Sequence, residues 1–163
     1  MQEQGRIVAG LDGSVEALAA VRIALAEAAL RGSRVEVVRA FLPPDHTGSV
    51  HYCAFAAPTL DQLTASIERS GRRWVDGIAA AGGGALATVP VDVVAQPGRP
   101  AKVLVERALG ADLLVLGRRR AAGTRPGSVG RYCMLHAPCP VTIVRYGDPR
   151  DGVARGLAGA ARS

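Results

Sequence analysis

Lysine is almost missing from this chain. Lys102 is the only one, so arginine carries nearly all of a formal net charge of +6. Aromatic residues are scarce too, at 4%. Arginines without interleaved rings lack the stacking surface that single-stranded nucleic acid needs, so nucleic acid is disfavoured as a partner. What remains is a small anion such as a nucleotide, or simply a solvated basic surface. The three cysteines, Cys53, Cys133 and Cys139, are odd in number and have no CxxC spacing. That speaks for reduced thiols and against a disulfide framework. No apolar run approaches the roughly 20 residues of a membrane span. The N-terminal MQEQGRIVAG enters a strand with no apolar leader, so the expectation is a cytoplasmic protein with no membrane partner. His46, His51 and His136 stand at no metal-ligand spacing, and no metal site is assigned. A Walker loop, a GxSxG elbow and a GxGxxG turn after the first strand are all missing, so no catalytic residue is assigned.

What is present is small and apolar: a chain of 163 residues, rich in Ala, Val, Leu and Gly. That length suits one domain with a sizeable core. Arg6–Leu11 reads as a buried strand that ends in Asp12-Gly13-Ser14, a turn and helix cap. A helix follows over about Val15–Arg31, with Leu18, Val21, Leu25 and Ala28 on one face and Gly32 as its stop. Arg34–Ala40 is a second strand, and Phe41–Pro58 is a long loop. Thr59–Ala81 is a second helix on a stripe of Leu60, Leu63, Ile67, Trp74 and Ile78, with a gap at Gly71. Thr88–Val94 is a third strand, and Gln96–Pro100 is a turn into a helix that buries Ala101, Leu104, Val105 and Ala108. Asp112–Leu116 is a fourth strand, apolar without alternation, as when both faces are covered. Ser128 caps a short helix that ends at Pro138, and Pro140–Arg145 is the fifth strand. Residues 1–146 form the domain, and Gly147–Ser163, without apolar period, is expected to be a disordered tail. Alternating strands and helices imply a doubly wound α/β fold with a parallel sheet. Such sheets bind ligands at the carboxyl ends of strands, at the switch point.

Two strand ends are suited to that. After the fourth strand come Gly117, the basic run Arg118-Arg119-Arg120, and Gly127-Ser128 at a helix start. Bare backbone N–H groups and the helix dipole make such a start a phosphate site, although serine there is more often a plain cap. The arginines can neutralise phosphate or be a solvated run, the commoner case. After the first strand, Asp12 can take a ribose or a metal, and can equally bond the turn that follows it.

Three stretches together resemble the universal stress proteins, of the actinobacterial type. They are IVAGLDGSVEALAAVRIALAEAALRGSRVEVVRAF, QPGRPAKVLVERALGADLLVLGRRR and GSVGRYCMLHAPCPVTIVR. The resemblance spans about Arg6–Arg145. It implies a five-stranded parallel sheet in the order 3-2-1-4-5, Rossmann-like and akin to the adenine nucleotide alpha-hydrolases. It also implies a homodimer through the Pro140–Arg145 edge strand, which an uncovered edge independently favours. Members that bind ATP share a G-x2-G-x9-G-[ST] motif. Its first glycine maps to Gly117 and its last pair to Gly127-Ser128, with Val129 following. Asp12 matches the acidic residue near the ribose, and Ala40 the position whose backbone meets adenine. The second glycine is Arg120 here, and only six residues, Ala121–Pro126, stand where the family pattern has nine. The lost glycine restores a Cβ where backbone approaches phosphate. Arginine in turn offers charge-assisted bonds, each netting on the order of 1.5–3 kcal/mol.

The resemblance therefore implies a stress-response regulatory protein holding ATP or AMP, with Mg accompanying it, at Asp12, Ala40, Gly117, Arg118, Arg120, Gly127, Ser128 and Val129. The alternative is a dimeric interaction module of the same family that has lost the nucleotide. A third reading is a weak Mg-dependent nucleotide hydrolase resting on Asp12.

Overall fold

The computed structural model describes residues 4–43, 58–118 and 127–145. Its elements are β1 (Arg6–Gly10), α1 (Val15–Arg31), β2 (Arg34–Phe41), α2 (Leu60–Ala81), α3 (Gly84–Ala87), β3 (Val91–Pro97), α4 (Pro100–Arg107), β4 (Leu113–Gly117), α5 (Ser128–His136) and β5 (Val141–Val144). The strands form one parallel sheet in the order β3-β2-β1-β4-β5. This is the doubly wound α/β architecture. The expected tail, most of the Phe41–Pro58 loop, Cys53, Arg120 and the Ala121–Pro126 segment lie outside the described residues.

Alternation within each strand splits the core into two layers. Ile7, Val35, Val37, Leu113 and Val115 face α1, α2 and α3. Val8, Val38, Leu114 and Leu116 face α4 and α5. Both faces are covered, which explains why the strands read as unbroken apolar runs. The α1 stripe goes inward as its period requires. Ser14 caps the helix by accepting from the Ala17 amide, and Gly32 ends it in the left-handed conformation at φ 64°.

One charge is buried in this frame. Glu36 of β2 is 7% exposed. It accepts from Arg6 at 3.0 Å, with Arg107 of α4 at 3.4 Å. Arg6 also donates to the Leu109 carbonyl, and Arg107 to Gln96. The carboxylate is thus paired from two elements, as burial of a charge demands.

The structure corrects several sequence expectations. The third strand begins only at Val91, after a short helical turn over Gly84–Ala87. Pro90 has no N–H to give, but its carbonyl accepts from Val35, and pairing with β2 then runs through to Phe41 and Pro97. Gln96 and Pro97 therefore belong to the strand. On α4, Val103 is buried in place of Ala101 and Val105. Val103 packs onto Gly98, where a Cβ would stand 2.8 Å from its methyl. Gly71 is no gap in the α2 stripe but a close approach, where a Cβ would lie 2.9 Å from both Arg39 and Val93. Leu60 of the same stripe stays exposed. Ser128 does not cap α5. Gly127 holds the cap position, Ser128 is the first helical residue, and the helix ends at His136.

Candidate functional site

A cavity of about 340 Å³ opens at the carboxyl ends of the strands, between β1 and β4. That is the switch point of this topology, where chain order reverses on either side of β1. The volume falls in the usual range for small-molecule sites, about 300–1,000 Å³.

Three helix N-termini reach the cavity: Ser14 at α1, Pro100 at α4, and Gly127 through Gly130 at α5. At α5 the amides of the first turn have no acceptor within the helix and stand as donors with a positive dipole end behind them, whereas Pro100 brings no N–H and the Ser14 and Ala17 amides of α1 are bonded to Asp12 and to the Ser14 hydroxyl. The floor is apolar, built from Val38, Leu104, Leu116 and Ile143. Asp12 is the only acidic side chain on the wall and Arg118 the only basic one among the described residues. The arrangement can hold an apolar ring on one side and an anion on the other.

The Asp12 carboxylate accepts from the Ser14 amide at 2.9 Å, bracing the turn that carries both residues. Beneath the turn, on the α2 side of the sheet, stands Arg39. Burial pushes its guanidinium below the usual arginine range, and the Asp12 carboxylate partly restores it. Arg118 ties the end of β4 to β5 by donating its amide to the Val144 carbonyl at 2.7 Å.

The glycines divide by role. A Cβ on Gly117 would fall 2.3 Å from the Glu16 carbonyl carbon and 2.5 Å from the Ala17 nitrogen. Gly117 therefore lets the first turn of α1 rest directly on the end of β4. At Gly10 a Cβ would crowd Leu116 at 2.9 Å and intrude on the floor. Gly13, at φ 85°, makes the turn itself.

All the candidate residues except Arg120 line this one cavity: Asp12, Ala40, Gly117, Arg118, Gly127, Ser128 and Val129. Arg120 lies outside the described residues. The floor residues were missed. A signal exists for two of them, since Leu116 and Ile143 lie two residues beyond Leu114 and Val141 on the α4 and α5 face of their strands. Among the described residues no cluster of His, Cys, Asp and Glu can hold a metal. Burial pushes the Cys133 thiol up to about 11, and burial also raises Cys139, with Arg6 opposing. Neither has the low pKa of a reactive cysteine.

Fold and cavity together define a class: a doubly wound parallel α/β protein whose ligand site sits at the switch point, ringed by helix N-termini. Within that class the chain belongs to the universal stress protein family, whose model matches residues 4–145. A universal stress protein of Thermus aquaticus, encoded in a QAH/OAS sulfhydrylase 3' region, is 33% identical over 146 residues, covering 85% of this chain and 97% of that one. A crystal structure of a universal stress protein in complex with cAMP is similar at a TM-score of 0.62 and 25% identity, over 86% of this chain and 95% of that one. The universal stress protein UspA from Lactobacillus plantarum shares the fold at a TM-score of 0.63 and 20% identity, over 89% of this chain and 100% of that one. No helix among the described residues is long and apolar enough to cross a membrane.

Proposed function

We propose that this protein is a stress-response regulator that binds an adenine nucleotide in the switch-point cavity. The observation that carries the reading is the convergence of three helix N-termini, an apolar floor and the Asp12 turn on one cavity of nucleotide size. The family membership and a 25% identical relative crystallised with cAMP support it. In this reading the amides of Ser128, Val129 and Gly130 meet phosphate, with Arg118 adding charge. Asp12 meets the ribose, and the Ala40 backbone meets the base above Val38 and Leu104. Arg120, matched by the motif alone, is kept as a further phosphate-binding candidate. With ATP or AMP as ligand, magnesium would arrive on the phosphates, and Asp12 is the one cavity carboxylate among the described residues that can meet it. The protein works as a cytoplasmic homodimer joined along β5, whose outer edge has no strand partner among the described residues.

Thermal unfolding with millimolar ATP, AMP and cAMP tests this. A ligand at a hundred times its Kd stabilises the native state by about 2.7 kcal/mol. At least one adenine nucleotide should raise the melting temperature, and Gly127→Glu, which adds bulk and negative charge at the start of α5, should abolish the rise. No rise with any of the three would remove the nucleotide reading and leave the interaction module in its place. Magnesium-dependent phosphate release that disappears in Asp12→Ala would establish the hydrolase reading.

A further inference from the structure

Behind the cavity wall, on the opposite side of the sheet from α4 and α5, a cation and a ring are packed against the Asp12 turn. Trp74 of α2 is the chain's only tryptophan. Its indole edge lies against Gly13, where an added Cβ would stand 2.8 Å from Cη2 and 3.3 Å from Cζ3. The Arg39 guanidinium stacks over the same indole at 4.7 Å from the ring centroid. Arg39 is itself fixed. Its Nη1 donates to the Ile67 carbonyl at 3.0 Å and to the Ser70 hydroxyl, and Gly71 gives its stem room. The chain of contact therefore runs from α2 through Arg39 and Trp74 to Gly13, whose neighbours Asp12 and Ser14 both line the cavity.

This has the form of a support for the ligand-facing turn. A glycine at φ 85° has more backbone conformations open to it than other residues, and the bonds that the turn makes at Ser14, to Asp12 and within the α1 cap, do not touch Gly13 itself. The rigid indole ring does. The guanidinium held on that ring also interacts with the Asp12 carboxylate, whose charge partly restores the Arg39 pKa.

We propose that Arg39 and Trp74 are positioning residues for the Asp12–Gly13–Ser14 turn, holding the Asp12 carboxylate in its cavity-facing orientation from the far side of the sheet. The proposal rests on the nucleotide reading for what the carboxylate meets, but the order of the turn can be measured without ligand.

The first measurement is amide hydrogen exchange on the full chain with nothing bound. Arg39→Met and Trp74→Leu should each speed exchange at Ser14 on the order of tenfold, as the loss of a desolvated cation–π contact from a locally opening turn would give. Val8 and Leu114 in the middle of the sheet should not change. Arg39→Lys, which keeps a cation over the ring, should restore most of the protection. If Trp74→Leu fails to fold, the two Arg39 variants decide. Unchanged exchange at Ser14 in every folded variant overturns the proposal. So does exchange that rises equally at Val8 and Leu114, since that reports a general loss of stability.

The second measurement is AMP affinity by calorimetry in a double-mutant cycle. Arg39→Met should weaken binding on the order of tenfold in the wild-type background, and much less in Asp12→Asn, because Arg39 acts through that carboxylate. An equal loss in both backgrounds overturns the proposal. If the wild-type protein binds no adenine nucleotide, the nucleotide reading falls, and exchange at Ser14 alone decides the positioning role.

Discussion

At the scale of single residues, Gly117 carries a constraint that its motif position does not reveal. The motif suggests a glycine chosen for phosphate, while the contacts show one chosen for α1. A Cβ there would stand 2.3–2.5 Å from three backbone atoms of Glu16 and Ala17, none of which can swing aside as a side chain would. Gly117→Ala should therefore cost at least the 1–3 kcal/mol typical of overpacking. Urea unfolding would show it as a lower midpoint at unchanged slope. A cost below about 0.5 kcal/mol, as for an ordinary surface change, would mean that α1 does not rest on the strand end. Cys133 supplies a second residue-level prediction. Its side chain is fully buried, and burial pushes its thiol up to about 11 from the ordinary 9.0. The folded state therefore holds the proton more tightly than the unfolded one. Stability from this group is whole below pH 9 and is lost as pH rises towards 11. Melting curves from pH 8 to 11 should fall more steeply for the wild type than for Cys133→Ala, and parallel curves would refute the assignment. At pH 8, alkylation of folded protein should reach Cys139, which is partly exposed, before Cys133.

At the scale of elements, the legible parts were those that one physical rule decides. Alternating strands and helices fixed the parallel sheet. Ser14, Gly32 and Pro100 gave correct helix ends because capping geometry is local. Where tertiary contact decides, the reading slipped. The start of β3 depends on the Pro90 carbonyl meeting Val35, and the buried face of α4 depends on Gly98 admitting Val103. The site followed the same division. The polar candidates were legible from turns and motif, whereas Val38, Leu104, Leu116 and Ile143 became a floor only once strand order set them side by side. Glu36 reads as an ordinary polar strand residue until Arg6 and Arg107 are seen converging on it. The strand β5 carries the prediction for this scale. The carbonyls of Pro140 and Val144 face β4, so by alternation the groups of Val141 and Ile143 face outward and offer an edge. Thr142 is exposed on that strand. Thr142→Lys should turn the proposed dimer into monomer at micromolar concentration in sedimentation, because a lysine on an edge strand discourages pairing. The same melting temperature for a variant that remains dimeric would place the interface elsewhere.

At the scale of the whole molecule, the charge balance bears on which nucleotide the cavity prefers. A net charge of +6 on 163 residues surrounds a site with one carboxylate and one guanidinium on its described wall. Two contributions to anion binding then differ in reach. The amides at the start of α5 act at contact and are little affected by salt. The field of the surface arginines acts over a Debye length, about 10 Å at 0.1 M salt and about 3 Å at 1 M. A ligand with more charge gains more from the long-range part. Raising salt from 0.05 to 0.5 M should therefore weaken ATP markedly more than AMP, and AMP more than cAMP, in calorimetric titrations of the same protein. Arg118→Gln should reduce the ATP slope most, because that side chain stands on the cavity wall. Equal salt slopes for the three ligands would show that contact donors alone set affinity and that the basic surface has no part in it. Parallel slopes with cAMP tightest would then point to the apolar floor and the Asp12 turn as the source of selectivity.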